Sequence, residues 1–393
     1  MMKMNSIQQK IRLNNGYMVP VVSACPDLQN ATDAPTWLED WQKEHPAEEP
    51  FRKEIEYLLS LGCRSFDTGY RYGTEQIIGK IFQTCGIPRN ELYITTKIYH
   101  QMQGYDNTMR AIDDILKRTR LDYIDVLLIH CPIVCRGLYR DTWLAMNQAY
   151  RQGIIKAIGV SNFNVQQFYD LFAVSDIIPA VNQREQHPFY VQPNLTAFEH
   201  HYGILTQSYS PLGHGRYAND NRLKWIADIH GKSVAQIILR WHVQSGYMLV
   251  TRSANFSRMK ENMEIFDFSL SSKEMSFIDS LNHGTRIWHD PMRFPGSCYY
   301  YPVEQAFIHN IESEISKLRV SEEIQEKITA KANELIESKD IDGTSDYVIY
   351  CFKRAVARYG ANSEIPVQAE EETKAVAKEM IERLAGIVEK SLS

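Results

Sequence analysis

Between Val21 and Phe266 the chain alternates a short apolar run with an amphipathic stretch, and it does so eight times. The runs are VVSAC (21–25), RSFDTG (64–69), LYITTKI (92–98), IDVLLIH (124–130), IKAIGVS (155–161), AVNQRE (180–185), ILTQSYS (204–210) and YMLVTRS (247–253). Short, rich in β-branched residues and bounded by turn signals, they predict buried strands. The intervening stretches predict helices over 49–61, 74–83, 109–118, 141–151, 164–172, 195–202, 234–243 and 257–265; in the third, Met109, Ile112, Ile115 and Leu116 share one face. Strands that alternate with helices build a parallel sheet, either open or closed. An open doubly wound sheet would most simply carry a glycine-rich turn after its first strand, and VVSACPDL has none. The expected α/β fold is a closed (β/α)₈ TIM barrel.

The 393 residues, 44% apolar and 23% charged, suffice for a large core and exclude wholesale disorder. A net charge of −5 gives no electrostatic footprint for nucleic acid. The longest uncharged apolar stretch, around Val126 to Cys135, is too short to span a bilayer, and the first residues lack a secretory h-region. Seven scattered cysteines make no disulfide framework, so a reducing, cytoplasmic setting is expected. His130, Cys131 and Cys135 lie close together, but no second close-spaced ligand pair accompanies them, and no metal site is expected.

Two segments exceed a bare barrel. Residues 26–50 separate the first strand from its helix, punctuated by Pro26, Pro35, Pro46 and Pro50. So long a connection usually serves as a lid or stays unstructured. Emerging at the C-terminal ends of the strands, it is expected to cover the barrel mouth, with Trp37 or Trp41 facing the site; a clamp on the C-terminal helices is the competing reading. Residues 292–393 are expected to form an appended all-helical module beside a barrel of residues 1–291. Within it, 321–393 carries 15 acidic against 10 basic side chains and no catalytic motif.

The second, third and fourth strands end in Asp67, Lys97 and His130, and Tyr72 follows the aspartate by five residues. Side chains at these strand ends converge on one face of a barrel. Singly, Asp67 reads as a turn cap, Tyr72 as wall, Lys97 as a snorkelling cation and His130 as a core histidine. Four such groups on three successive strands weaken those readings. An ammonium ion lowers the pKa of a neighbouring phenol, and a carboxylate fixes that cation. The phenol can then protonate a carbonyl oxygen that a histidine polarises.

FDTGYRYGTEQIIGK (66–80), ITTKI, LDYIDVLLIHCP, GIIKAIGVSNFNVQQ, VNQREQHP, TQSYSPLG and VTRSANFSRMKEN resemble, in order and spacing, the motifs of the aldo-keto reductase family over roughly residues 10–291. The resemblance implies a catalytic tetrad of Asp67, Tyr72, Lys97 and His130, with Tyr72 the general acid. It also implies NADPH/NADP⁺ as cofactor. Ser161, Asn162 and Gln183 would hold the nicotinamide carboxamide, Tyr209 would stack on its ring, and Ser210, Pro211 and Leu212 would meet the pyrophosphate. Arg252, Ser253 and Arg258 would surround the 2′-phosphate, with Glu261 and Asn262 near the adenine. Two guanidiniums and a hydroxyl suit a phosphate dianion better than a ribose diol.

The departures from the family pattern lie around the substrate. Val22-Ser23-Ala24-Cys25-Pro26 replaces the usual GLGT stretch, Cys131 replaces an aromatic residue, and Ile98-Tyr99-His100 follows the lysine in place of the frequent tryptophan-containing sequence. Candidate substrate residues are Trp37, Trp41, Tyr99, Cys131 and Trp288. The expected activity is NADPH-dependent reduction of an aldehyde, ketone or open-chain sugar. The alternative is a cofactor-binding sensor or scaffold that holds a protein partner, or a second copy, through its C-terminal helices. Neither nucleic acid nor membrane is an expected partner.

Overall fold

The computed structural model describes residues 6–26, 48–133 and 137–288. Most of the 26–50 insertion, with Trp37 and Trp41, lies outside the described residues, as do the helices expected over 292–393.

A short hairpin, β1 (Lys10–Arg12) and β2 (Met18–Pro20), precedes the barrel strands. These are β3 (Val22–Ala24), β4 (Ser65–Asp67), β5 (Tyr93–Ile98), β6 (Ile124–Ile129), β7 (Ile155–Ser161), β8 (Val181–Glu185), β9 (Leu205–Tyr209) and β10 (Met248–Thr251). All eight pair in parallel, and β10 bonds to both β9 and β3, so the sheet closes into the expected barrel. The described helices are α1 (Glu48–Ser60), α2 (Glu75–Thr84), α3 (Tyr105–Thr119), α4 (Tyr139–Arg151), α5 (Val165–Phe172), α6 (Pro193–His201), α7 (Asn221–His230), α8 (Val234–Gln244), α9 (Phe256–Met263) and α10 (Ser272–Asp279).

The side-chain period of two divides each strand between two environments. Ile94, Ile98, Leu127, Ile129, Ile158 and Val160 pack outward against Ile78, Ile112, Met146 and Phe168 of the helices. Tyr93, Val126, Leu128, Ala157, Val181 and Met248 fill the floor of the barrel. Further along the same inward faces the residues turn polar: Asp67 on β4, Lys97 on β5, Ser161 on β7, Gln183 on β8 and Gln207 on β9. The lumen is therefore largely apolar below, apart from the buried Ser23 and Ser65 hydroxyls bonded at 2.7 Å, and polar at the C-terminal rim. Gly159 marks a tight point on the wall, because a Cβ there would stand 2.6 Å from the carbonyl oxygen of Val181.

The hairpin is an addition to the elements read from the sequence. Its signal is Asn15-Gly16, with Gly16 at φ 87°, a conformation that favours glycine. Leu13 and Val19 join the floor cluster. Asn14 Nδ2 donates to the Pro179 carbonyl at 3.0 Å, and Tyr17 OH donates to Asp125 Oδ1 at 2.7 Å. Helices α7 and α10 are likewise additions. Asp220 caps α7, and a Ser271–Glu274 capping box opens α10.

Candidate active site

Asp67 is the last residue of β4, and the chain leaves it through Thr68 and Gly69 into a single 3₁₀ turn, Tyr70–Tyr72. Gly73, at φ 70°, ends that turn in the left-handed region. Two anchors bring the turn back over the barrel. The hydroxyls of Thr68 and Thr74 share a hydrogen bond at 2.7 Å. Buried Glu75 accepts from Thr96 Oγ1 at 2.5 Å and from Arg118 Nε and Nη2 at 2.9 and 2.7 Å. Tyr72 is thereby placed beside the end of β5.

There Lys97 Nζ donates to Asp67 Oδ1 at 2.5 Å and to the Thr68 carbonyl at 2.9 Å. Its side chain is wholly buried, so these bonds offset the loss of hydration of the ammonium. The same Nζ stands 4.8 Å from the centroid of the Tyr72 ring. His130, just past β6, presents its ring edge-on to Tyr72 at 5.9 Å. The four candidate catalytic residues thus converge at one rim of the barrel. Tyr99 lies 6.0 Å from His130, ring to ring, and 3.9 Å from His100. Cys131 is buried, and its carbonyl accepts from Gln103 Nε2 at 2.6 Å.

Beside this cluster Ser161 Oγ donates to the Gln183 carbonyl at 2.8 Å. Asn162, at φ 64°, donates from Nδ2 to the His130 carbonyl at 3.1 Å, and its Oδ1 accepts from Tyr209 OH at 2.9 Å. Gln183 Nε2 reaches Asp67 Oδ2 at 2.6 Å. The candidate nicotinamide and tetrad residues are one connected network.

The loop after β9 begins with Ser210 in the left-handed region at φ 49°. Its Oγ meets His214 Nε2 at 3.0 Å and accepts from the Trp288 indole at 2.8 Å. Buried Glu185 holds the segment carrying that indole, accepting from the amides of Ile287 at 2.5 Å and Trp288 at 3.1 Å. Trp288, read from the sequence as a substrate residue, contacts the candidate pyrophosphate loop. Glu185 and His214 are site-lining groups that the sequence reading did not single out; the signal available was Glu185 two residues beyond Gln183 on the same strand face.

Arg252 and Arg258 are exposed. Desolvation, with Arg252 as the second cause, holds the His214 imidazole below its usual pKa. Partial burial raises the Glu54 carboxyl above its usual range, and Arg252 partly offsets this. Arg252 therefore stands near both α1 and the loop after β9. Asn255 caps α9 by accepting from the Arg258 amide at 3.0 Å, and Ser253 Oγ accepts from the Asn255 amide at 3.1 Å. Glu261 accepts from Ser233 Oγ, and Asn262 is buried. Among the described residues no group of three His, Cys, Asp or Glu is placed to hold a metal, and no helix is long and apolar enough to cross a membrane.

A closed parallel barrel with buried carboxylate, ammonium, phenol and imidazole at its C-terminal rim defines the class: a (β/α)₈ barrel with an enzyme-like site. The chain belongs to the aldo/keto reductase family, whose model matches residues 36–283. It is 38% identical over 286 residues to an aldo-keto reductase of Mycobacterium sp. (strain MCS), covering 73% of this chain and 95% of that protein. A crystal structure of an aldo/keto reductase from Brucella melitensis is 35% identical, with TM-score 0.63, and covers 70% of this chain and 99% of that one. A Bombyx mori aldo-keto reductase in complex with NADP is 30% identical, with TM-score 0.64, and covers 76% of this chain and 99% of that one.

Proposed function

We propose that this chain reduces the carbonyl of an aldehyde, ketone or open-chain sugar to an alcohol, with NADPH as reductant. The observation that carries the reading is the convergence of Asp67, Tyr72, Lys97 and His130 on one rim, in a family of aldo/keto reductases. Tyr72 gives its hydroxyl proton to the carbonyl oxygen as that oxygen becomes an alkoxide. The Lys97 ammonium stabilises the phenolate left behind, and Asp67 fixes the ammonium. His130, edge-on to Tyr72, orients and polarises the carbonyl. Tyr99, packed against His130, forms the adjacent wall of the substrate pocket.

The residues present fit a nicotinamide dinucleotide phosphate. The NADP complex of the Bombyx mori relative supports the choice of cofactor, and the exposed pair Arg252 and Arg258, with Ser253, offers the donors a 2′-phosphate requires. Ser161, Asn162 and Gln183 would hold the carboxamide, Tyr209 the ring face, Ser210–Leu212 the pyrophosphate, and Glu261 with Asn262 the adenine. When bound, NADPH supplies the hydride; the chain supplies the proton and the alignment. The test is loss of NADPH absorbance with a panel of aldehydes, ketones and sugars. Turnover of at least one class is expected. Tight NADPH binding with no turnover of any would favour the sensor or scaffold reading.

A further inference from the structure

Gln183 is held by a residue that this mechanism does not use. Its Nε2 donates to Asp67 Oδ2 at 2.6 Å and to Gln207 Oε1 at 2.9 Å. An amide nitrogen carries two hydrogens, so both are consumed and Oε1 alone remains to meet a ligand. Gln207 lies on β9 two residues before Tyr209, hence on the same inward face, and is 1% exposed. Its own Nε2 is buried with no hydrogen-bond partner among the described residues. A buried donor left unmet is costly, and an apolar side chain of the same length would avoid that cost. Packing alone does not account for a glutamine at this position.

We propose that Gln207 is a positioning residue for the nicotinamide: it fixes the Gln183 amide so that Oε1 faces the cofactor carboxamide as an acceptor. The inference rests on the proposed role of Gln183. Without the acceptor at Gln207, one Gln183 hydrogen loses its partner and the amide is tethered by the Asp67 bond alone, free to swing about it. A swung amide carries Oε1 off the line to the carboxamide N–H₂ and weakens that bond.

The experiment measures Kd, by quenching of tryptophan fluorescence, for NADP⁺ and for its 3-acetylpyridine analogue, in which a methyl replaces the carboxamide amine. The parent protein is expected to prefer NADP⁺. Gln207→Met should weaken NADP⁺ binding about fivefold to tenfold, the worth of one amide hydrogen bond, while leaving the analogue nearly unchanged. Gln207→Glu, which keeps an oxygen facing Gln183, should retain the parent's preference. Gln207→Ala removes the same acceptor with less crowding and carries the same expectation if the methionine does not pack. Equal losses for both nucleotides, or a preserved preference in Gln207→Met, overturn the inference alone. A parent that binds both nucleotides equally overturns the role of Gln183 and this inference with it.

Discussion

The ammonium of Lys97 lies 4.8 Å from the centre of the Tyr72 ring while bonded to Asp67 at 2.5 Å. One cation thus serves two groups: it neutralises a buried carboxylate and faces a phenol. Tyr72→Phe removes the hydroxyl and preserves the ring. Carbonyl reduction should fall by about 10²-fold or more, the scale of general acid catalysis, with NADPH affinity nearly unchanged. Lys97→Met should also slow the reaction, since it leaves the phenolate unassisted and Asp67 without its cation. Steady-state rates beside nucleotide titrations check both, and a Tyr72→Phe variant working at the parent rate would refute the assignment.

Arg252 and Arg258 are exposed at the head of α9. Charge-assisted hydrogen bonds contribute about 1.5–3 kcal/mol each, less where solvent and salt screen them. Replacing both arginines by alanine should therefore weaken NADPH binding tenfold or more, on the order of two such screened bonds, and NADH binding little. The contrast should shrink as salt rises. Equal losses for the two nucleotides would place the 2′-phosphate elsewhere.

Arg184 and Glu199 form an ion pair at 3.1 Å with side chains 3% and 0% exposed, and Asn182 and Thr206 also donate to Glu199. The pair joins β8 to α6 outside the lumen. Arg184→Met leaves a buried carboxylate without its cation and should cost about 3–5 kcal/mol of stability. A lowered urea midpoint, with the rate per folded molecule retained, is the expected result.

His242 is buried, with Nδ1 2.9 Å from the Ile238 carbonyl and Nε2 3.1 Å from the Gln186 carbonyl. Burial lowers its pKa from 6.5 to about 4, against the pull of those two carbonyls. The unfolded chain takes up this proton as pH falls through 6.5, whereas the folded chain resists until about 4. Stability from this group is complete above the unfolded pKa and is lost with acid, at up to about 1.4 kcal/mol per pH unit. Urea midpoints across that window should fall less steeply for His242→Asn than for the parent.

Strand positions were legible because each barrel strand is a short run between turn signals, and all eight appear where the runs lie. Asp67, Lys97 and His130 were legible together because strand ends in a barrel converge, and Tyr72 because it follows Asp67 by five residues. The hairpin β1–β2 was not, although Asn15-Gly16 announces its turn, because two three-residue strands carry too little periodicity to read. Helices α7 and α10 escaped for a related reason: their apolar faces are narrow, and their capping residues are the stronger signal.

By itself the sequence determined the order of the eight barrel strands and of the helices read between them, and set Asp67, Lys97 and His130 at strand ends, since these follow from period, turn chemistry and strand direction. Only the tertiary structure decided which side chains touch. Asp67 and Gln183 are 116 residues apart, and nothing local sets their 2.6 Å hydrogen bond. It exists because the barrel closes β4 and β8 around one lumen, where buried polar groups must satisfy each other. The same closure joins Lys97, Asp67, Gln183 and Gln207 into one chain of hydrogen bonds. It also sets the Trp288 indole on Ser210, across 78 residues, through a segment that Glu185 holds by two backbone amides.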